Sequence, residues 1–229
     1  MTRTALQTSL VVALTFVVYG ALPDGAALAR TQLYSPFGAS APVTAFVGGC
    51  SSGLCQIVVW QRNSDSACAI TLIGDGGGLF DNTEINGGSG NDTLYIMDSS
   101  NAYGPLCGYN LTYPIYNGYY LDLYGQGGSD DLRSHTGGDS WLFGGDGNDV
   151  VFSVGPGNLW GGNGNDIVYA RGAFSAEGLF GEAGNDCLED ENAAAATIDC
   201  GPGTDNIGRA LSGAIPLNFN CEQIVGFCF

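Results

Sequence analysis

Apolar residues recur along this chain in pairs nine positions apart: Ile85/Leu94, Leu123/Leu132, Leu142/Val151, Leu159/Val168, Leu179/Leu188 and Ile198/Ile207. A polar, glycine-rich hexapeptide lies between the members of each pair. The constant spacing predicts two short strands, each aiming one side chain inward, joined by a six-residue turn of fixed geometry. The return segments vary. Leu132 to Leu142 is ten steps, Val151 to Leu159 is eight and Val168 to Leu179 is eleven. Each coil therefore takes about 17–20 residues, with one fixed turn and one free turn. No long stretch has helical periodicity. The run from Glu191 to Ala196 predicts at most one helical turn, because helices this short are marginal.

The hexapeptides begin at residues 87, 125, 144, 161, 181 and 200. The 38-residue step from Gly87 to Gly125 is two coils long. A degenerate coil is expected there, with Leu106 and Ile115 as its inward pair. Its turn, Cys107 to Thr112, lacks the glycines and the Asp. Residues 30–70 contain no repeat. Ala45-Phe46-Val47 and Gln56-Ile57-Val58-Val59-Trp60 read as short strands joined by a turn at Gly48–Gly53. This region is expected to cap the open end of a solenoid. The organisation so read is a signal segment at 1–29, an N-terminal cap at 30–70, a roll at 71–210 and a disulfide-linked C-terminal cap at 211–229.

The turn sequences carry the chemistry. GGDGNDVVF begins at Gly144, GGNGNDIVY at Gly161 and GGSGNDTLY at Gly87. Looser copies are GQGGSDDLR from Gly125, GEAGNDCLE from Gly181 and CGPGTDNIG from Cys200. All follow G-G-x-G-x-D-x-U-x, where U is apolar, and in this the chain resembles the RTX, or haemolysin-type, calcium-binding repeat family. The resemblance implies an all-β, right-handed parallel β-roll with calcium held between stacked turns. Handedness also follows the general crossover rule.

The residue types suit that ion. Glycines let the backbone turn its carbonyls toward one point, and the sixth-position Asp adds a carboxylate. Calcium takes six to eight hard oxygens, more than one turn supplies. Five turns in series give about four inter-turn sites. Their carboxylates would be Asp130, Asp149, Asp166, Asp186 and Asp205. Their backbone would come from Gly125, Gly127 and Gly128; Gly144, Gly145 and Gly147; Gly161, Gly162 and Gly164; Gly181 and Gly184; and Gly201 and Gly203. Asp92 faces the degenerate coil in this reading and holds a weak, partial site. Gln126 and Glu182 replace the second glycine in two copies. With one motif per coil the ions form a single row. The opposite turns, such as Ser153–Asn158 and Gly172–Ser175, carry no Asp in the right place. Without metal, stacked carboxylates about 5 Å apart repel by ~1 to several kcal/mol per pair, so calcium should stabilise the fold directly. A turn ladder that needs no ion is the plainer alternative, but simple turn chemistry does not demand Asp at one place six times.

Composition narrows the function. The 229 residues include 23 Asp and Glu, 6 Arg and no Lys, for a net charge of −17. That balance excludes nucleic-acid binding, which needs basic residues, and suits hard cations. Without Lys there is neither a P-loop nor a Schiff-base lysine. Met1–Ala29 reads as a secretory signal. Arg3 is its charged start, Leu10–Val18 its apolar core and Ala27-Leu28-Ala29 its cleavage site. The core is short for a membrane span. Many RTX proteins instead use an uncleaved C-terminal export signal, and this chain departs from that habit. After cleavage no stable span is expected, and the protein would be secreted or extracellular.

All eight cysteines (Cys50, Cys55, Cys68, Cys107, Cys187, Cys200, Cys221 and Cys228) follow the signal, which points to disulfides. Zinc is the alternative, but no C-x-x-C pair or His cluster supports it. Eight cysteines allow 105 pairings. The CGPGTD…NCE arrangement resembles the terminal cap of secreted proteins carrying such repeats, and implies Cys200–Cys221.

A second pattern is aromatic. Tyr124, Phe143, Trp160 and Phe180 stand just before four successive turns, at outward positions, and Val150, Phe152, Ile167 and Tyr169 face outward on the partner strand. Such a stripe calls for a cover, whether residues 30–70 or a partner chain. Alternatively Tyr124, Phe143, Trp160 and Phe180 form a platform for a glycan or another cell-surface ligand.

Enzyme readings are weaker. Gly49-Cys50-Ser51-Ser52-Gly53 matches G-x-S-x-G, but no large α/β sheet or fitting His accompanies it. His135 is the only histidine. No H-E-x-x-H occurs. The acidic cluster Glu177, Glu182, Glu189, Asp190 and Glu191 could pair carboxylates as in carbohydrate-active solenoids, though calcium and solvation explain it more simply. The expectation is a secreted, non-enzymatic calcium-binding scaffold. An adhesin or glycan-binding module is the first alternative and a small carbohydrate-active enzyme the second.

Overall fold

The computed structural model describes residues 31–49, 56–74, 82–96, 105–109, 111, 120–135, 138–171, 178–191, 197–208, 217–225 and 228. The described residues are all-β, and among them no helix is long and apolar enough to cross a membrane. Two sheets run the length of the molecule. The first holds β1 (Thr31–Tyr34), β5 (Asn82–Gly88), β7 (Tyr120–Gly127), β9 (Leu142–Asp146), β11 (Asn158–Asn163), β13 (Gly178–Ala183), β15 (Thr197–Asp199) and β17 (Leu217–Phe219), in that order and all parallel.

The second sheet runs from β18 (Gln223–Val225) through β16 (Asn206–Gly208), β14 (Cys187–Asp190), β12 (Ile167–Ala170), β10 (Val150–Ser153), β8 (Asp131–Ser134) and β6 (Thr93–Ile96) to β2 (Val43–Gly49). It then continues antiparallel through β3 (Gln56–Arg62) and β4 (Cys68–Gly74). From β5 onward the chain alternates sheets at every strand, so each coil gives one strand to each. This is a parallel β-roll.

The nine-residue pairs form its core. All twelve of Ile85, Leu94, Leu123, Leu132, Leu142, Val151, Leu159, Val168, Leu179, Leu188, Ile198 and Ile207 are buried, none above 2% exposed. They lie in register along each sheet, as Leu142↔Leu159↔Leu179 and Val151↔Val168↔Leu188 show. Burying one such side chain contributes roughly 1.5–3 kcal/mol, so the stack is stabilised coil by coil.

The N-terminal cap is itself a coil. Leu33 pairs with Ile85, and Ala45 with Leu94. The hairpin β2–β3 forms where alternation predicted it, and Trp60 is fully buried in the same core cluster as Leu33, Val43 and Ala45. Its indole N–H donates to Thr71 Oγ1 at 3.1 Å. The last described coil, β17–β18, is tied down by Cys200–Cys221, the expected bridge, and by Cys187–Cys228. A third bridge joins Cys68 and Cys107. Cys50, Cys55 and the rest of the 50–53 match lie outside the described residues, as does the signal segment.

The degenerate coil expected between Gly87 and Gly125 is not there. β5 pairs directly with β7 (Ile85↔Leu123), and β6 directly with β8 (Leu94↔Leu132). The described part of the intervening chain, residues 105–109 and 111, forms an excursion that adds no strand to either sheet. Leu106 sits in a separate cluster with Phe46, Ile57, Val59, Tyr95 and Leu111. Those strand residues alternate with the inward Ala45, Val58 and Leu94, so the excursion covers the outer face of the second sheet. The Cys68–Cys107 bridge fastens it there. Ile115, the expected partner of Leu106, lies outside the described residues.

Candidate metal centre

Six turns stack in one row without interruption. Their second residue is left-handed in every copy: Gly88, Gln126, Gly145, Gly162, Glu182 and Gly201 have φ between 69° and 127°. Gln126 (78°) and Glu182 (69°) therefore keep the turn geometry despite their side chains. Glycine is required elsewhere by contact. A Cβ on Gly164 would strike the carbonyl oxygen of Gly147 in the coil before it.

The Asp side chains form a ladder. The backbone N–H of Asp92 donates to Asp130 Oδ1 at 2.7 Å, and that of Asp130 to Asp149 Oδ1 at 2.7 Å. Asp149 donates likewise to Asp166 (2.8 Å), Asp166 to Asp186 (2.8 Å) and Asp186 to Asp205 (2.7 Å). Val43 N–H donates to Asp92 Oδ1 at one end. At the other end Asp205 N–H donates to Glu222 Oε2 at 2.7 Å, so Glu222 stands where a seventh Asp would. Asp92 is thus a full member of the row, where the sequence had set it against a degenerate coil.

Each carboxylate has a second oxygen. Oδ2 of Asp92, Asp130, Asp149, Asp166, Asp186 and Asp205 is buried and has no hydrogen-bond partner among the described residues. A buried carboxylate oxygen without a partner is costly. These oxygens face the first glycine of their own turn. A Cβ on Gly161 would lie 2.6 Å from Asp166 Oδ2 and 2.9 Å from Gly181 O, and one on Gly144 would lie 2.5 Å from Asp149 Oδ2 and closer still to Gly161 O. Gly125 brings Asp130 Oδ2 together with Gly144 O, and Gly181 brings Asp186 Oδ2 together with Cys200 O. Gly87 faces Asp92 Oδ2. A carboxylate oxygen of one turn and a carbonyl oxygen of the next thus converge where only glycine leaves room. In the sixth turn Cys200 takes the glycine's place, and its side chain is bridged to Cys221.

The electrostatics agree. Burial raises the Asp149, Asp92 and Asp186 carboxyls to about 6, Asp166 to about 7 and Asp130 to about 8. Neighbouring Asp charges add to the rise at Asp130 and Asp166. Burial also raises Asp205. The row is a stack of desolvated anions in need of positive charge. Among the described residues no three His, Cys, Asp or Glu side chains converge, so a side-chain cage of the zinc type is not formed. Hard oxygens from carboxylate and backbone are instead a donor set for calcium.

The family model of the RTX calcium-binding nonapeptide repeat (4 copies) matches residues 77–95, 124–153 and 158–172. The chain carries RTX calcium-binding repeats. No curated protein and no solved structure matches the chain. The RTX geometry runs past the matched residues, since the turns at Gly181 and Cys200 continue the same ladder.

A second ladder escaped the sequence reading. It uses the fifth turn position: Asn91, Ser129, Asn148, Asn165, Asn185 and Thr204. Ser129 N–H donates to Asn91 Oδ1 (3.0 Å), Asn148 N–H to Ser129 Oγ (3.3 Å), Asn165 N–H to Asn148 Oδ1 (2.8 Å), Asn185 N–H to Asn165 Oδ1 (2.8 Å) and Thr204 N–H to Asn185 Oδ1 (2.8 Å). It runs opposite to the Asp ladder. The signal was present as a short polar side chain at that position in every copy.

The aromatic row exists, but its geometry differs from a flat platform. Tyr124–Phe143, Phe143–Trp160 and Trp160–Phe180 have centroids 4.5, 4.3 and 5.3 Å apart and planes within 8°, 7° and 14°. At such distances near-parallel rings lie face to face. Phe143 and Trp160 therefore spend both faces on neighbouring rings and turn edges outward, and all four rings are half-buried. Of the acidic cluster, Glu189 and Asp190 are buried, and Glu189 Oε2 accepts the N–H of Cys228 at 3.0 Å. Glu191 pairs with Arg171 and accepts the Tyr169 hydroxyl. Glu177 lies outside the described residues.

Proposed function

We propose that this protein is an exported, non-enzymatic scaffold whose β-roll is held together by a row of calcium ions. The observation that carries the reading is the line of six buried Asp Oδ2 atoms without hydrogen-bond partners among the described residues. Five of them face an open first-position glycine, at Gly87, Gly125, Gly144, Gly161 and Gly181. The reading therefore has five ions, one more than the expected four, because Asp92 joins the series. The row stops where Cys200 and its bridge to Cys221 take over the stapling of the last coil.

Export is supported by the signal-like first 29 residues and by three disulfides among the described residues, a bonding pattern of oxidising compartments. The stacked rings support a stabilising role for the aromatic row, since face-to-face contacts consume the surface a glycan would use.

Native mass spectrometry of the disulfide-intact protein, stripped with chelator and returned to calcium or magnesium, tests the reading. Five calcium ions retained, against none of magnesium, is the expected result. A spectrum with no bound calcium at millimolar concentration would refute it.

A further inference from the structure

The fifth-position ladder spaces the turns, and one of its rungs is poor. Between the turns at 144, 161, 181 and 200, each rung is an Asn side chain accepting a backbone N–H at 2.8 Å. Between the turns at 125 and 144 the acceptor is Ser129, whose shorter side chain reaches Asn148 N–H only at 3.3 Å. That is past the usual range for such a bond. The same turn lacks further side-chain ties to the next. Its third residue, Gly127, has no side chain, whereas the next gap gains a bond from Asn163 Nδ2 to Asp146 Oδ1 at 2.8 Å. Its second residue, Gln126, reaches backward to Asn86 (2.9 Å) rather than forward. The gap after residue 130 therefore has the Asp ladder and the backbone bond from Gly128 N–H to Asp146 O (2.8 Å) that the later gaps also have, but its fifth-position side-chain rung is long.

We propose that the fifth-position side chains are positioning residues for calcium, and that Ser129 makes the gap between the turns at 125 and 144 the weakest-holding site of the row. The proposal rests on the calcium reading above. A cation between two turns is held by oxygens from both, so its release requires the turns to part. Side chains that tie consecutive turns without touching the ion slow that parting. Asn148, Asn165 and Asn185 do so for the C-terminal gaps, where Cys200–Cys221 and Cys187–Cys228 also restrain the coils. Release should begin at the 125/144 gap.

The test is calcium release from the loaded, disulfide-intact full chain mixed with excess fluorescent chelator. The wild type is expected to lose one ion in a separate fast phase. Ser129→Asn should slow that phase about fivefold, the worth of one ordinary hydrogen bond, and leave the other phases alone. Asn165→Ala should create a second fast phase with the total ion count unchanged, and Asn165→Ser should fall between. A purely structural role would change melting temperature without moving one release phase. An unchanged Ser129→Asn trace, or an Asn165→Ala trace equal to wild type, would overturn the proposal while leaving the calcium reading intact. Failure of the wild type to load calcium would remove both.

Discussion

At the residue scale, the sixth-position Asp does two separate jobs. Oδ1 accepts a backbone N–H from the preceding turn, and Oδ2 is left buried without a partner among the described residues. Asp166→Asn separates them, because an amide oxygen can still accept while its NH2 cannot ligate a cation. In chelator at pH 8 this variant should be more stable than wild type by roughly a few kcal/mol, since Asp166 titrates at about 7 against an ordinary 3.8. In millimolar calcium it should be less stable. The pH dependence has the same origin. A folded-state value raised above the unfolded one gives stability that is present below about pH 4 and lost as pH climbs through 6 to 8. The metal-free melting temperature should fall over that window, and calcium should abolish the fall by replacing protons. Scanning calorimetry of both proteins from pH 4 to 9 checks the two signs together. The Asp row was legible because one residue type recurs at one place. The Asn91–Thr204 row was not, because its chemistry is shared among Asn, Ser and Thr and the turn pattern leaves that position free.

At the element scale, the nine-residue spacing determines which residues face inward, and every described pair obeys it. A period alone does not say whether a long gap is another coil or a departure from the roll. The distance from Gly87 to Gly125 fits two coils, and Leu106 with Ile115 keeps the nine-residue spacing, yet the hydrogen-bonded neighbours are β5 and β7. What decided the matter was burial on the other face. Phe46, Ile57, Val59 and Tyr95 form an apolar outer patch, and Leu106 and Leu111 bury it. A short Gly/Ser linker replacing residues 98–118, combined with Cys68→Ser, should lower the melting temperature by exposing that patch. It should leave the calcium count the same, because no turn of the row is removed. One fewer ion would show that the segment contributes a coil.

At the scale of the whole molecule, the charge of −17 and the thin core act together. The interior is close to one aliphatic side chain per strand, and the ladder concentrates buried carboxyls along one edge. Disulfides stabilise the described ends and the excursion, by about 3–4 kcal/mol each in the loop-closure model. The middle coils, from the turn at 125 to the turn at 181, have no such bridge among the described residues. Their cohesion depends on whatever neutralises Asp130, Asp149, Asp166 and Asp186. The most direct measurement is therefore thermal unfolding of the disulfide-intact protein at pH 7.5, followed by far-UV circular dichroism, in chelator, in magnesium and in calcium. The account predicts a melting temperature raised by at least about 10 °C in calcium alone, as expected when several ions bind only the folded state. Equal melting temperatures in all three conditions would contradict it.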